Sequence, residues 1–204
     1  MQSPDTRLLI LAGSPRPASE SLRIAQVMQR FVDEQPGAMS QLLDIAQLDL
    51  PKWEDDAAEH ETQALGALRE AAEWADALVI VVPEWGGMAP PALKAALLAL
   101  TNGEVAHKPV LLIAVSAGIG GSYPIAELRA SCTKNAHLVF IPDHLIVRNV
   151  EQQFPAFPGD KTADHQRLEL RVKTSLGQLI TYARALAPVR PTLARALKAY
   201  PYGH

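Results

Sequence analysis

Residues 7–22 read RLLILAGSPRPASESL, and this stretch decides the fold. The run from Arg7 to Ala12 is apolar at nearly every position, with no alternation. Such a run suits a central parallel strand covered on both faces. Gly13 ends it, and Glu20–Glu34 follows with Leu22, Ala25, Met28 and Phe31/Val32 three to four residues apart, the spacing of an amphipathic helix. The strand therefore opens into a helix through one short loop, the start of a strand–helix–strand unit.

The same alternation continues along the chain. Met39–Ile45 reads as a second strand and Asp49–Ala58 as a loop rich in Pro and acid. Helix two is expected over Glu59–Trp74, and Asp76–Val82 (DALVIVV) is the strongest strand signal. Pro90-Pro91 suits a first helical turn, where a missing N–H costs nothing, and Ala92–Leu100 continues that helix. Pro109–Val115 is strand four and Pro124–Asn135 helix four. Leu138–Ile141 and Leu145–Val147 form an interrupted strand five, and Thr162–Ala187 a long last helix. Five strands alternating with five helices predict a parallel sheet with helices on both faces, a three-layer doubly wound α/β domain over residues 1–187. Residues 188–204 are a Pro-rich extension expected to lie over the surface or against another subunit.

Composition narrows the function. The 204 residues carry 19 Lys+Arg against 22 Asp+Glu, a net charge of −3. No basic excess exists to drive binding along a nucleic-acid backbone. The single Cys132 can form no intrachain disulfide, which fits a reducing compartment. Apolar runs are far shorter than the ~20 residues of a membrane span, and MQSPDTR lacks the design of a signal peptide.

In doubly wound sheets, ligands bind beyond the carboxyl ends of the strands. Three loops there carry chemistry. The first, Gly13 to Leu22, offers the hydroxyls of Ser14, Ser19 and Ser21, the fixed charge of Arg16 and the amides of a helix start, which together describe a phosphate cradle. It matches neither a Walker A nor a G-x-G-x-x-G pattern. The second, PEWGGM at 83–88, pairs glycines that let backbone approach a flat ligand with a tryptophan able to stack on it. The third, SAGIGGSY at 116–123, has glycines at 118, 120 and 121.

In this order and spacing the loops resemble those of the NAD(P)H-dependent FMN reductase family, which has a flavodoxin-like fold. Its phosphate loop G-S-x-R-x-x-S-x-N/S-x-x-L is GSPRPASESLRI here. Its P-E-Y-N-G segment followed by L-K-N-A is PEWGGMAPPALKAAL, and its S-x-G-x-x-G-G loop followed by L-R is SAGIGGSYPIAELR. The resemblance covers about residues 6–150. It implies a strand order of 2-1-3-4-5. It also implies FMN held without a covalent bond, its phosphate on Ser14, Arg16, Ser19, Ser21 and Leu22. The ring would lie along Pro83, Glu84, Trp85, Gly86, Gly87 and Met88 and be closed by Ser116, Gly118 and Gly120. NADPH or NADH would supply hydride to flavin N5 and a quinone, flavin, azo compound or similar small molecule would receive it, with no catalytic side chain and no metal. Members are commonly homodimers or homotetramers, and the expected location of this chain is cytoplasmic. Trp85 stands where the family usually has Tyr, and Gly86 where it usually has Asn.

Rival readings are a flavodoxin-type electron carrier, a scaffold without flavin, and a serine hydrolase built on Ser116, Asp143 and His165. His60 among Glu59, Glu61, Asp55 and Asp56 reads as a solvated face. His107, His137 and His144 read as structural or surface residues, and Cys132 as a small buried hydrophobe. Trp53 and Trp74 suit core or interface, and Phe154, Phe157, Tyr200 and Tyr202 a subunit contact.

Overall fold

In the computed structural model, which describes residues 5–50, 62–155 and 162–200, five parallel strands form one sheet in the order β2-β1-β3-β4-β5. They are β1 (Thr6–Ala12), β2 (Ala38–Asp44), β3 (Ala77–Pro83), β4 (Pro109–Val115) and β5 (Val139–Val147). Every residue of β3 and β4 is buried, as the unbroken apolar runs require of central strands. In β1, Leu8, Ile10 and Ala12 face one layer, where α1 (Glu20–Asp33) and α6 (Ala163–Leu186) pack. Leu9 and Leu11 face the other, covered by α2 (Gln63–Trp74), α3 (Pro91–Ala99) and α5 (Ser122–Ser131). Each fully buried Leu or Ile contributes about 1.5–3 kcal/mol by leaving water.

Most elements follow the sequence pattern, and the differences have local causes. Helix α2 starts at Gln63, not Glu59, because Thr62 is extended and its hydroxyl caps Leu65 N–H at 3.2 Å. Helix α5 runs from Ser122 rather than Pro124 and stops at Ser131, where Cys132 leaves helical geometry. Strand β5 is continuous, and the expected interruption is a register shift opposite Val110 and Leu112. There the guanidinium of Arg129 on α5 collects the carbonyls of Ile141, Pro142 and Asp143. Two short helices escape the periodicity argument: α4 (Asn102–Val105), closed by a Thr101–Glu104 capping box, and α7 (Arg190–Leu197) in the Pro-rich tail.

Charged groups pin the amino edge of the sheet. Burial would raise the Asp76 carboxyl, but hydrogen bonds from Arg7 and from Arg190 of α7 outweigh it and hold the group below its usual range. Lys108 is buried and gives its ammonium to the Ala72 and Glu73 carbonyls, 2.7 and 3.0 Å away, at the end of α2. Burial pushes it down to about 8. Beside it, His107 and His137 lie with ring centres 5.6 Å apart, and both Nε2 atoms are buried without a hydrogen-bond partner. No helix among the described residues is long and apolar enough to cross a membrane. Trp53, Asp55, Asp56, Glu59, His60, Glu61, Phe157 and Tyr202 lie outside the described residues.

Candidate functional site

The loops after β1, β3 and β4 meet at the carboxyl edge of the sheet. Gly13 N–H donates to Val81 O at 2.8 Å, and a Cβ on Gly13 would sit 2.8 Å from that oxygen. Only glycine lets the first loop leave β1 this close to β3. Ser14 is buried, and its Oγ accepts from Arg16 N–H at 3.2 Å. Ala18 takes a left-handed φ of 49°, a conformation that costs a non-glycine residue energy and clusters at ligand clamps. That turn delivers Ser19 as the N-cap of α1, its Oγ accepting from Leu22 N–H at 3.2 Å. Ser21 is buried in the first helical turn, and Leu22 packs against the core.

The second loop is a tight reversal. Trp85 N–H donates to Met88 O at 2.9 Å and Met88 N–H to Trp85 O at 3.0 Å. Gly86 and Gly87 between them have φ of +56° and +79°. Two positive φ values across a two-residue hairpin are the pattern of a type I′ turn, which favours Asn-Gly and Gly-Gly. Glycine for asparagine at position 86 therefore preserves the turn. Trp85 is half-buried, and the exposed Arg16 guanidinium lies over its ring, 4.6 Å from the centroid. That contact joins the first loop to the second.

The third loop is braced from beneath. Gly118 N–H donates to Ser116 Oγ at 3.3 Å, and Asn149 N–H to Gly118 O at 2.9 Å. Arg148 Nε donates to Ile119 O at 2.7 Å and Gly120 O at 3.1 Å. Gly121, the N-cap of α5, has φ of +105°, and a Cβ there would collide with Ile146 Cγ2. A Cβ on Gly120 would meet Glu84 Oε1 at 2.9 Å, because the Glu84 carboxylate accepts the Gly121 N–H.

The three helix starts that follow the central strands thus differ. The end of α5 faces the Glu84 carboxylate. Just before α3, Ala89 N–H donates to Glu127 Oε2 at 2.7 Å, and Lys94 holds the other oxygen at 2.7 Å. The Lys94 hydrogen bond, then the Ala89 amide, keep Glu127 below the usual carboxylate range. The start of α1 faces the cleft with serine hydroxyls and Arg16 beside it; its one acid, Glu20, is turned onto Arg23 at 2.6 Å. Positive helix ends attract anions, and at α1 the capping group is the Ser19 hydroxyl rather than a carboxylate from another element.

The hydrolase constellation does not assemble. The Asp143 carboxylate is bound by Arg171 and by Ser175 Oγ, which hold it down to about 2. His165 Nδ1 accepts from Thr162 N–H at 3.1 Å in the cap of α6.

A family model described as NADPH-dependent FMN reductase matches residues 6–152, which include all three loops. The chain belongs to the NADPH-dependent FMN reductase family. It is a flavin-dependent NAD(P)H oxidoreductase, with FMN as cofactor and a reduced nicotinamide as co-substrate. Among curated relatives it is 29% identical to an NADPH azoreductase of Bacillus sp. strain OY1-2, over 61% of this chain and 67% of the relative. It is 31% identical to the NADH:(hydroxy)cinnamate reductase subunit CrdA of Vibrio ruber, over 59% of each. Its fold is that of FerB, a flavoenzyme NAD(P)H:acceptor oxidoreductase from Paracoccus denitrificans, with a TM-score of 0.71 at 19% identity, covering 88% of this chain and 98% of that one.

The residues present fit FMN. A Cβ added at Gly86, Gly87 or Gly118 would meet nothing within 4 Å, so open space lies against the backbone that would flank a ring. Two residues that brace these loops, Glu127 and Arg148, carry no motif. Their partners are backbone groups 38 and 28–29 positions away, which local spacing cannot show.

Proposed function

We propose that the FMN phosphate sits at the start of α1, on Ser14, Arg16, Ser19, Ser21 and the Leu22 amide. The ring lies between the turn at Pro83–Met88 and the loop at Ser116, Gly118 and Gly120. The observation that carries this reading is the contrast among helix ends: carboxylates occupy the positions before α3 and α5, while α1 presents hydroxyls and a guanidinium. A phosphate placed at α3 or α5 would meet like charge.

Bound FMN supplies hydride transfer between a reduced nicotinamide and an acceptor. The chain's part is to hold it. Arg16 neutralises the phosphate and Trp85 offers an indole face. Backbone amides of the glycine loops supply fixed dipoles at the ring edge. The acceptor is a small molecule such as a quinone, an azo compound or a free flavin, taken up on the side left open by Gly86, Gly87 and Gly118.

Met88, Ile119 and Tyr123 surround this opening at 55%, 82% and 70% exposure. Apolar groups concentrated at one rim favour a contact surface, so the working form is a homo-oligomer whose second copy covers them. The domain spans residues 1–187, with residues 188–204 as an extension. The lone Cys132 supports a cytoplasmic location. Purified protein mixed with FMN and desalted should keep visible flavin absorption, and NADPH or NADH should bleach it. Loss of all flavin on desalting would refute the placement. A single molar mass equal to the monomer, measured by light scattering, would refute the oligomer.

A further inference from the structure

Glu84 lies between the two loops assigned to the ring, but its carboxylate does not face the cleft as a ligand would. It is turned onto the first amide of α5. Its own N–H donates to Val115 O at 3.1 Å, so the residue ties the end of β3 to the end of β4 and to the start of α5. Gly120 is packed against it, with no room for a side chain: an added Cβ would lie 2.9–3.2 Å from three carboxyl atoms. Helix α5 has ten residues and no acidic residue in its first turn, so the Glu84 carboxylate is the anion at its positive end.

The geometry points to Glu84 as a positioning residue that sets the reduction potential of the site by cancelling the field of α5. This inference rests on the placement of the ring proposed above. Uptake of one hydride, a proton with two electrons, by a neutral ring adds one unit of negative charge to the site. An uncompensated helix start beside the ring would stabilise that charge. A carboxylate fixed at the same helix start opposes it. The reduced state is then held less tightly, and hydride passes more readily to an acceptor. The same contact fixes the spacing of the second and third loops, so affinity for the oxidised ring depends on the acceptor oxygen more than on the charge.

Two substitutions separate the roles. Glu84→Gln keeps an acceptor for Gly121 and removes the charge. Ser122→Asp adds a carboxylate at the exposed first residue of α5. The measurements are the dissociation constant of oxidised FMN, the two-electron midpoint potential of the bound flavin, and the Gly121 amide resonance of the flavin-free chain. Glu84→Gln should leave oxidised FMN affinity within a few-fold. It should favour the reduced form about tenfold relative to the oxidised one, which is ~30 mV upward for a two-electron couple. Ser122→Asp should move the potential downward, and Glu84→Gln should move the Gly121 resonance upfield. An unchanged or lowered potential in Glu84→Gln, with flavin bound, overturns the inference and leaves the flavin site standing. So does an unmoved Gly121 resonance, or a potential unaffected by Ser122→Asp should Glu84→Gln not fold. A wild-type chain that binds no FMN overturns both.

Discussion

In the proposed placement, replacing Arg16 with Ala removes a guanidinium that would serve both the phosphate and, through Trp85, the ring. Its two contacts differ in when they form. The stack on Trp85, 4.6 Å to the centroid, exists before any ligand arrives and is worth about 0.5–1 kcal/mol at an exposed site. The charge-assisted hydrogen bond to phosphate forms only with ligand and is worth about 1.5–3 kcal/mol. At ~1.4 kcal/mol per factor of ten, the phosphate contact predicts a rise in the FMN dissociation constant of about 10- to 150-fold. Riboflavin has the same ring and no phosphate. Its affinity should fall only through the lost preorganisation of Trp85, about fivefold at most. Fluorescence titration of the flavin-free wild type and Arg16→Ala with both ligands gives the four dissociation constants. Arg16→Lys should lie between, since an ammonium keeps the charge but loses the planar fork. Equal losses for FMN and riboflavin would show that Arg16 does not read the phosphate.

Gly86→Asn should keep the turn and cost only a few tenths of a kcal/mol. Gly86→Val, which has equal room, should cost about 1–2 kcal/mol because φ of +56° is closed to a β-branched side chain, and urea midpoints of the two variants test the difference. Acid should weaken the fold in two windows. Burial and then the charge of its neighbour His137 hold His107 below its ordinary 6.5, so the unfolded chain takes up protons the folded chain refuses. Stability is therefore full above that value and falls as pH drops through it. Asp143, at about 2 against 3.8, contributes stability that is present above 3.8 and lost on further acidification toward 2; urea midpoints from pH 8 to pH 2 should show both steps. Arg190→Ala should release α7, which has no buried residue and is hydrogen-bonded to Asp76 through that side chain, raising amide exchange across Arg190–Leu197 at a cost near 1 kcal/mol.

The layers of the sheet were legible in the sequence because burial on both faces leaves unbroken apolar runs, as in β3 and β4. Helix α1 was legible from periodicity and from the serine that caps it. Boundaries set by one hydrogen bond were not, and Thr62 displaced the start of α2 by four residues. Helix α7 was hidden because none of its residues is buried among the described residues, so no core stripe marks one face. The serines and Arg16 follow a motif carried whole by the first loop, and the paired glycines one carried whole by the second. The direction of Glu84 depends on a backbone amide 37 positions away, and no local pattern records it.

The irregularity of β5 bears on how the protein survives at high concentration. An outermost strand with a free ladder invites a strand from another molecule, the first step toward fibrous aggregates. Here Pro142 has no N–H to offer, and the carbonyls of Ile141, Pro142 and Asp143 are already engaged by Arg129. A newcomer would find the docking rail broken halfway along. Exchanging Pro142 for a residue with an N–H, or Arg129 for one that cannot reach the carbonyls, would repair the rail and trade solubility for a longer sheet.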